Sequence, residues 1–225
     1  MAADRKKVTV IAIDGPAGAG KSTVARELAA KLGVTYVNTG SLYRSLALAA
    51  EQEGVDPERV DAAFLSRQKL EYRSGVLLLN GQDPGSALRR PEIASGASRI
   101  SAIPIVREYL LPVQRQAAES EWIVMEGRDI GTVIFPDAAC KFFITASIEE
   151  RARRRLAQGG ENASGATLES VMEEIRIREE RDSQRATAPL RAAPDAEIID
   201  TTGLSIAEVT ARLIAALPEE LQKRQ

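Results

Sequence analysis

The sequence predicts a doubly wound α/β fold, a largely parallel sheet with helices on both faces. Three observations carry this. Residues 8–14, VTVIAID, are β-branched-rich and almost continuously apolar, the pattern of a strand covered on both sides. Glycines follow, and then Val24, Leu28 and Leu32 recur at helical spacing until Gly33. The same strand-then-helix alternation returns at 122–131, 140–146 and 196–202, which is the order of a doubly wound sheet.

Between these strands, residues 34–38 read as a short strand. Thr39 or Ser41 is placed to cap a helix that runs to Gly54. Residues 57–66 read as a further short helix. From Lys69 the pattern becomes antiparallel: 69–73 and 76–82 flank Ser74-Gly75, a hairpin turn. Helices are predicted over 91–101, 104–119, 147–158, 168–181 and 205–217, with a glycine-rich loop at 159–165. Trp122 is expected to pack at a strand start and Cys140 to serve as a small core hydrophobe. The last residues, 218–225, are expected to be a frayed end.

Composition narrows the chemistry. The 225 residues suit one domain with an inserted part, and 44% hydrophobic content can bury a sizeable core. Net charge is −2, which argues against nucleic acid and anionic membrane as partners. No stretch approaches the roughly 18 apolar residues of a membrane span, and the run at 8–13 is short for a signal segment. The single cysteine excludes an intramolecular disulfide and fits a reducing, cytoplasmic setting. The chain has no histidine, which removes Ser-His and Cys-His nucleophiles and His-ligated metals.

One motif is complete. Gly15, Pro16, Ala17, Gly18, Ala19, Gly20, Lys21 and Ser22 match G-x-x-x-x-G-K-[ST] between a strand and a helix, the context that marks a phosphate-binding P-loop. Backbone N–H groups and the helix N-terminus attract anions there. Lys21 is placed to reach the β- and γ-phosphates of ATP, and the hydroxyl of Ser22 to hold Mg²⁺, with Thr23 as the alternative. No Asn-Lys-x-Asp base-reading loop of a switch GTPase is present. A kinase for small molecules instead needs a cationic acceptor site and a lid that excludes water. Every basic residue from Arg151 to Arg191 is arginine, in two helical stretches on either side of the glycine-rich loop. Arginine stays charged and forks onto phosphate. Arg128 and Asp129 follow a strand whose end, Glu126-Gly127, should meet the Asp14-Gly15 end of the first strand in one cleft. Tyr43 and Arg44, early in the helix after the second strand, are placed to meet an acceptor phosphate.

DGPAGAGKST (14–23), NTGSLYR (38–44), GRDIGTVIFPDA (127–138) and RDSQRATAPL (181–190) together resemble the bacterial cytidylate kinases, P-loop nucleoside monophosphate kinases, from Val8 to about Leu217. The resemblance implies transfer of the ATP γ-phosphoryl to CMP or dCMP with Mg²⁺, in pyrimidine nucleotide metabolism, by a monomer. It implies a core at 8–38, 120–150 and 195–217, a monophosphate-binding insert at about 39–119 and an arginine-rich lid at about 151–185. The hairpin around 69–85 resembles the extra piece that the family carries in its insert. Residues Gly15 to Thr23 would cradle ATP. Thr39, Tyr43, Arg44 and Arg128 would address the CMP phosphate side. Ser98, Arg107 and Asp129 would read cytosine. Asp182 with Arg178 would hold the ribose, and Arg185 would add charge near the phosphates. Arg151, Arg154 or Arg155 would swing in with the lid. Two other readings share the P-loop: another small-molecule kinase on the same fold, and a P-loop NTPase module without an acceptor.

Overall fold

The computed structural model describes residues 8–73, 76–118, 122–158 and 165–223. The Ser74-Gly75 turn and most of the 159–165 loop lie outside them. Five strands form a parallel sheet: β1 (Val8–Asp14), β2 (Thr35–Asn38), β5 (Ile123–Gly127), β6 (Ala138–Thr145) and β7 (Glu197–Asp200). Their spatial order is β2-β5-β1-β6-β7, so β1 is central. The end residues register as neighbours, Asp14 beside Gly127 on one side and Phe143 on the other. All of Val10–Ile13 and of β5 is buried, as strands covered on both faces must be.

One face packs on α1 (Lys21–Leu32) and α8 (Ile206–Ala215) through Leu28, Leu32, Val209 and Leu213. The other packs Val10, Met125, Ile130 and Phe135. The chain leaves the sheet between β2 and β5. There α2 (Thr39–Gln52), α3 (Ala62–Ser66), the antiparallel pair β3 (Leu70–Arg73) and β4 (Val76–Leu79), α4 (Pro91–Ile100) and α5 (Pro104–Gln116) build a second core around Leu42, Leu46, Phe64 and Leu110. A third, small cluster of Ala152, Val171 and Ile175 joins α6 (Ile148–Gln158) to α7 (Leu168–Gln184).

Four local expectations need correction. The helix after β2 is capped by neither Thr39 nor Ser41. Asn38 Oδ1 accepts from Ser41 N at 3.2 Å, and Thr39 is already helical. Residues 57–66 split into a 3₁₀ turn at Pro57–Arg59 and α3, each started by its own aspartate cap. Residues beyond Gly127 do not continue as plain strand and loop: Ile130–Ile134 form a π-helical turn, with Phe135 N donating to Ile130 O at 2.7 Å. The segment after Leu217 is no frayed end, because α9 (Glu219–Gln222) buries Leu221 completely against the α1 and α8 core.

Candidate active site

The glycine-rich segment wraps the N-terminus of α1 because its backbone runs where side chains cannot go. A Cβ on Gly15 would lie 2.0 Å from Ile144 O, and one on Gly18 would lie 2.8 Å from Arg151 O. Both have positive φ, which favours glycine. Lys21 opens the helix buried in the cleft and donates to Pro16 O at 2.6 Å. Burial, then the positive charge of Arg128, pushes its ammonium well below the usual lysine range. An arriving anion reverses both penalties.

This loop forms one end of a cleft at the carboxyl edge of the sheet. Among the described residues, the cleft is lined by seven cationic side chains, Lys21, Arg44, Arg107, Arg128, Arg155, Arg178 and Arg185, against three carboxylates, Glu126, Asp129 and Asp182. Arg178 shows the imbalance best. Burial and then neighbouring Arg128 lower its guanidinium to about 10, and its buried Nε has no hydrogen-bond partner among the described residues. Asp182 is buried, which raises its pKa, but Arg128, Arg178 and Arg185 outweigh this and hold it below the usual range. Arg128 Nε donates to it at 3.1 Å.

At the far end, Asp129 is held from two sides. Arg107 Nη2 pairs with Oδ2, and Arg185 Nη2 donates to Oδ1 at 3.4 Å. Arg107 also donates to Ser101 O at 3.3 Å and lies over the Tyr43 ring, 5.7 Å from its centroid. Each Asp129 oxygen thus takes one guanidinium hydrogen bond and keeps further acceptor capacity. Thr39 Oγ1 donates to Glu126 O at 2.9 Å and pins α2 to the end of β5. The Glu126 carboxylate, buried in the cleft, takes a hydrogen bond from Tyr36 OH.

The cleft thus gathers Lys21, Ser22, Thr23, Thr39, Tyr43, Arg44, Arg107, Arg128, Asp129, Arg155, Arg178, Asp182 and Arg185 from the sequence expectations. Ala17, Gly18 and Gly20 line it as well, whereas Gly15, Pro16, Ala19, Arg151 and Ser98 do not. Arg151 does not line it: Nε donates to Ala146 O at 3.0 Å, Nη1 to Ala17 O at 3.4 Å, and Nη2 pairs with Glu179 at 2.7 Å. It is a buried strut between P-loop, β6 and α7. Ser98 faces a neighbouring groove, where its Oγ accepts from Arg181 Nη1 at 3.0 Å. Ala97 and Ser101 line the cleft in its place, since residues four apart share a helix face. The i,i+4 spacing is the signal that points to them.

An apolar recess opens behind the P-loop, with Val24, Ala157, Leu204, Ile206 and Val209 as walls and Arg154 at its side. Arg154 is fixed by Thr201 Oγ1 at 2.9 Å and Thr201 O at 2.7 Å. Sequence reading grouped Arg154 with the lid and did not find this recess, because its walls come from three distant segments.

The sequence model of the cytidylate kinase family matches residues 11–219. The cytidylate kinase of Stutzerimonas stutzeri (strain A1501) is 46% identical over 222 residues, covering 95% of this chain and 97% of that protein. That of Solibacter usitatus (strain Ellin6076) is 46% identical over 214 residues, covering 93% and 92%.

The chain belongs to the cytidylate kinase family.

A gluconokinase from Sinorhizobium meliloti 1021 superposes with a TM-score of 0.50 at 14% identity, covering 97% of each chain, which shows a shared fold and no more. Within a cytidylate kinase, the oxygen donors near Lys21 also bear on magnesium. Among the described residues no cluster of three or more acidic, His or Cys ligands exists. The Ser22 and Thr23 hydroxyls and the Glu126 carboxylate do line the cleft. A few hard oxygen donors and no closed cage fit Mg²⁺ that arrives on nucleotide phosphates. Ser22 lines the cleft alone, whereas Thr23 is shared with the apolar recess. Among the described residues no helix is long and apolar enough to cross a membrane.

Proposed function

We propose that this protein transfers the γ-phosphoryl group of ATP to CMP or dCMP, giving ADP and CDP or dCDP. The observation that carries this is the two-ended cleft. A P-loop with its buried lysine lies at one end, the Arg107–Asp129–Arg185 cluster at the other, and an excess of arginine between. The apolar recess takes the adenine of ATP, with Arg154 against its face. Asp129 accepts from the cytosine N4 amine, a donor that uracil lacks. Uracil would set its O4 acceptor against a buried carboxylate, which discriminates strongly. Ser98 would join base reading by turning from Arg181 as α4 approaches α7. Asp182 and Arg178 hold the ribose, and Arg44, Arg128 and Arg185 the acceptor phosphate.

The acceptor oxygen is already anionic, so the reaction needs no base, and the chain has no histidine to supply one. Catalysis is alignment and charge stabilisation. Lys21 and Arg155 neutralise charge on the transferring group, while the α6–α7 lid keeps water out. Ser22, and in second place Thr23, would hold Mg²⁺, which would supply charge screening at the phosphate oxygens. The acting unit in this reading is a monomer.

The test is ADP release from Mg-ATP with CMP, dCMP, UMP, AMP or no acceptor. Release that depends on CMP or dCMP is expected. Release with another acceptor alone would assign a different small-molecule kinase. Release indifferent to every acceptor would leave a P-loop NTPase module.

A further inference from the structure

Asp14 is the last residue of β1, directly before the P-loop, and does not line the cleft. It is only 4% exposed. Its two oxygens accept from successive backbone amides of the π-helical turn: Ile130 N to Oδ1 and Gly131 N to Oδ2, both at 2.8 Å. That turn begins one residue after Asp129 and two after Arg128. The contact spans 116 positions of sequence. Gly131 packs closely beside it: a Cβ there would lie at ordinary contact distance, 3.5 Å, from Asp14 Oδ2, and 3.1 Å from Cδ of the flexible Lys141 side chain.

We propose that Asp14 is a positioning residue for acceptor recognition. Its carboxylate ties the strand that enters the phosphate loop to the turn that aims Asp129 and Arg128 into the cleft. The inference rests on the acceptor assignment above. Two charge-assisted bonds to adjacent amides fix both the position and the rotation of that turn. Arg107 and Arg185 each hold one Asp129 oxygen, so the backbone that carries Asp129 helps set where this cluster sits in the cleft.

Burial raises the Asp14 carboxyl to about 6, against the lowering pull of the two amides. Asp129 adds a further rise and Lys21 opposes it. On the flanking strands, Glu126 stands beside Ile13 and Lys141 beside Ala12. The Lys141 ammonium is taken by Asp195 at 2.7 Å and by Pro136 O. As pH falls through about 6, one Asp14 oxygen becomes an O–H, and its amide loses a good acceptor.

The experiment is steady-state kinetics of Asp14→Asn and the wild type between pH 5 and 8, varying CMP at saturating ATP and ATP at saturating CMP. At pH 8, Asp14→Asn should raise the CMP KM about tenfold and leave the ATP KM within about twofold, because one amide then faces an NH₂ group. The ratio of CMP KM values should narrow toward one at pH 5. The second ionisation of the CMP phosphate, near 6 in phosphate monoesters, affects both proteins and cancels in that ratio. An unchanged CMP KM, a parallel rise for ATP, or a ratio constant with pH would overturn the proposal. If Asp14→Asn does not fold, Asp14→Ser takes its place, since its smaller side chain keeps an acceptor for one of the two amides at most. It should raise the CMP KM severalfold with the ATP KM unaffected, and a CMP KM equal to that of the wild type would overturn the inference just as well. A wild type with no CMP-dependent turnover would instead defeat the acceptor assignment itself.

Discussion

At the scale of single residues, the cleft keeps charges that the fold alone would reject. Lys21 is a buried cation whose neighbours include Arg128 and Arg178, and its ammonium donates to a backbone carbonyl. Replacing it with methionine should therefore act in opposite directions on activity and stability. Turnover should fall at least about a hundredfold, the usual loss when one preorganised charge at a transferring group is removed. The melting temperature without nucleotide should rise by about 2–4 °C, since a buried unpaired charge is relieved. Calorimetry beside single-turnover kinetics checks both. A variant that is both active and less stable would mean that Lys21 is a structural residue. Asp129→Asn keeps the shape and removes the charge between Arg107 and Arg185. It should raise the CMP KM about tenfold or more and leave ATP binding intact, and an equal loss for both substrates would contradict base reading. Asp14 carries the third consequence. Its carboxyl keeps its proton to about 6, above its ordinary value of 3.8. The native state thus binds more protons than the unfolded chain in that window, and stability contributed by Asp14 declines as pH rises through it. Asp14→Asn should flatten that part of the slope in urea titrations run from pH 4 to 7.

At the scale of elements, local signals were legible and long-range ones were not. The β-branched run of β1, the 3-4 spacing of α1 and the hairpin around Ser74-Gly75 are written in neighbouring residues. β1 and α1 appear within a residue of expectation, and the stretches that flank the hairpin turn pair antiparallel, with β4 ending at Leu79 rather than 82 and the turn itself outside the described residues. The π-helical turn was missed because it depends on Asp14, far away in sequence, to hold its first amides. The α9 turn was missed because a short charged tail hides one leucine whose burial is decided by α1 and α8. In the site, the cationic side chains were legible as residue types, while their directions were not. Arg151 and Arg155 share a helix face in ERARRRL, yet one turn along the axis sets the first behind the P-loop and the second in the cleft. The strut role of Arg151 predicts an element-level effect. Glu179→Gln removes the charged partner of a guanidinium that is itself buried. Glu179 is partly exposed, so the cost should be near 1 kcal/mol rather than the several expected for a fully buried pair. A melting point lowered by about 2–4 °C, with CMP and ATP KM values both raised as α7 loosens from the P-loop, is the expected outcome. No change in either quantity would show that α7 is held by the Ala152–Val171–Ile175 cluster alone.

At the scale of the whole molecule, charge is distributed unevenly for a reason that only assembly reveals. The chain is net −2, yet the cleft holds seven cations against three carboxylates, so the remaining surface is net acidic. Such a pattern repels nucleotides everywhere except at the carboxyl edge of the sheet, where low-dielectric walls focus the field. It also makes the empty cleft self-repulsive, since Lys21, Arg128 and Arg178 each disfavour the charge of another. In the proposed reading the two substrates together would supply the missing negative charge and bridge the parts of the fold: ATP at the sheet and α1, CMP at the α2–α5 insert, and both at α6 and α7. Adenosine and cytidine joined 5′ to 5′ through five phosphates should therefore stabilise the fold as one unit. At a hundred times its dissociation constant the gain is about 2.7 kcal/mol, or about 5–10 °C in melting temperature for a chain of this length. At the same concentration ATP alone, which reaches only one end, should give a clearly smaller shift. Its adenosine-adenosine counterpart should also fall short, because adenine offers Asp129 no cytosine-shaped edge. If all three ligands shifted the melting point equally, the acceptor end of the cleft would not be engaged, and the arginines there would serve only to hold Asp129 and Asp182 in the fold.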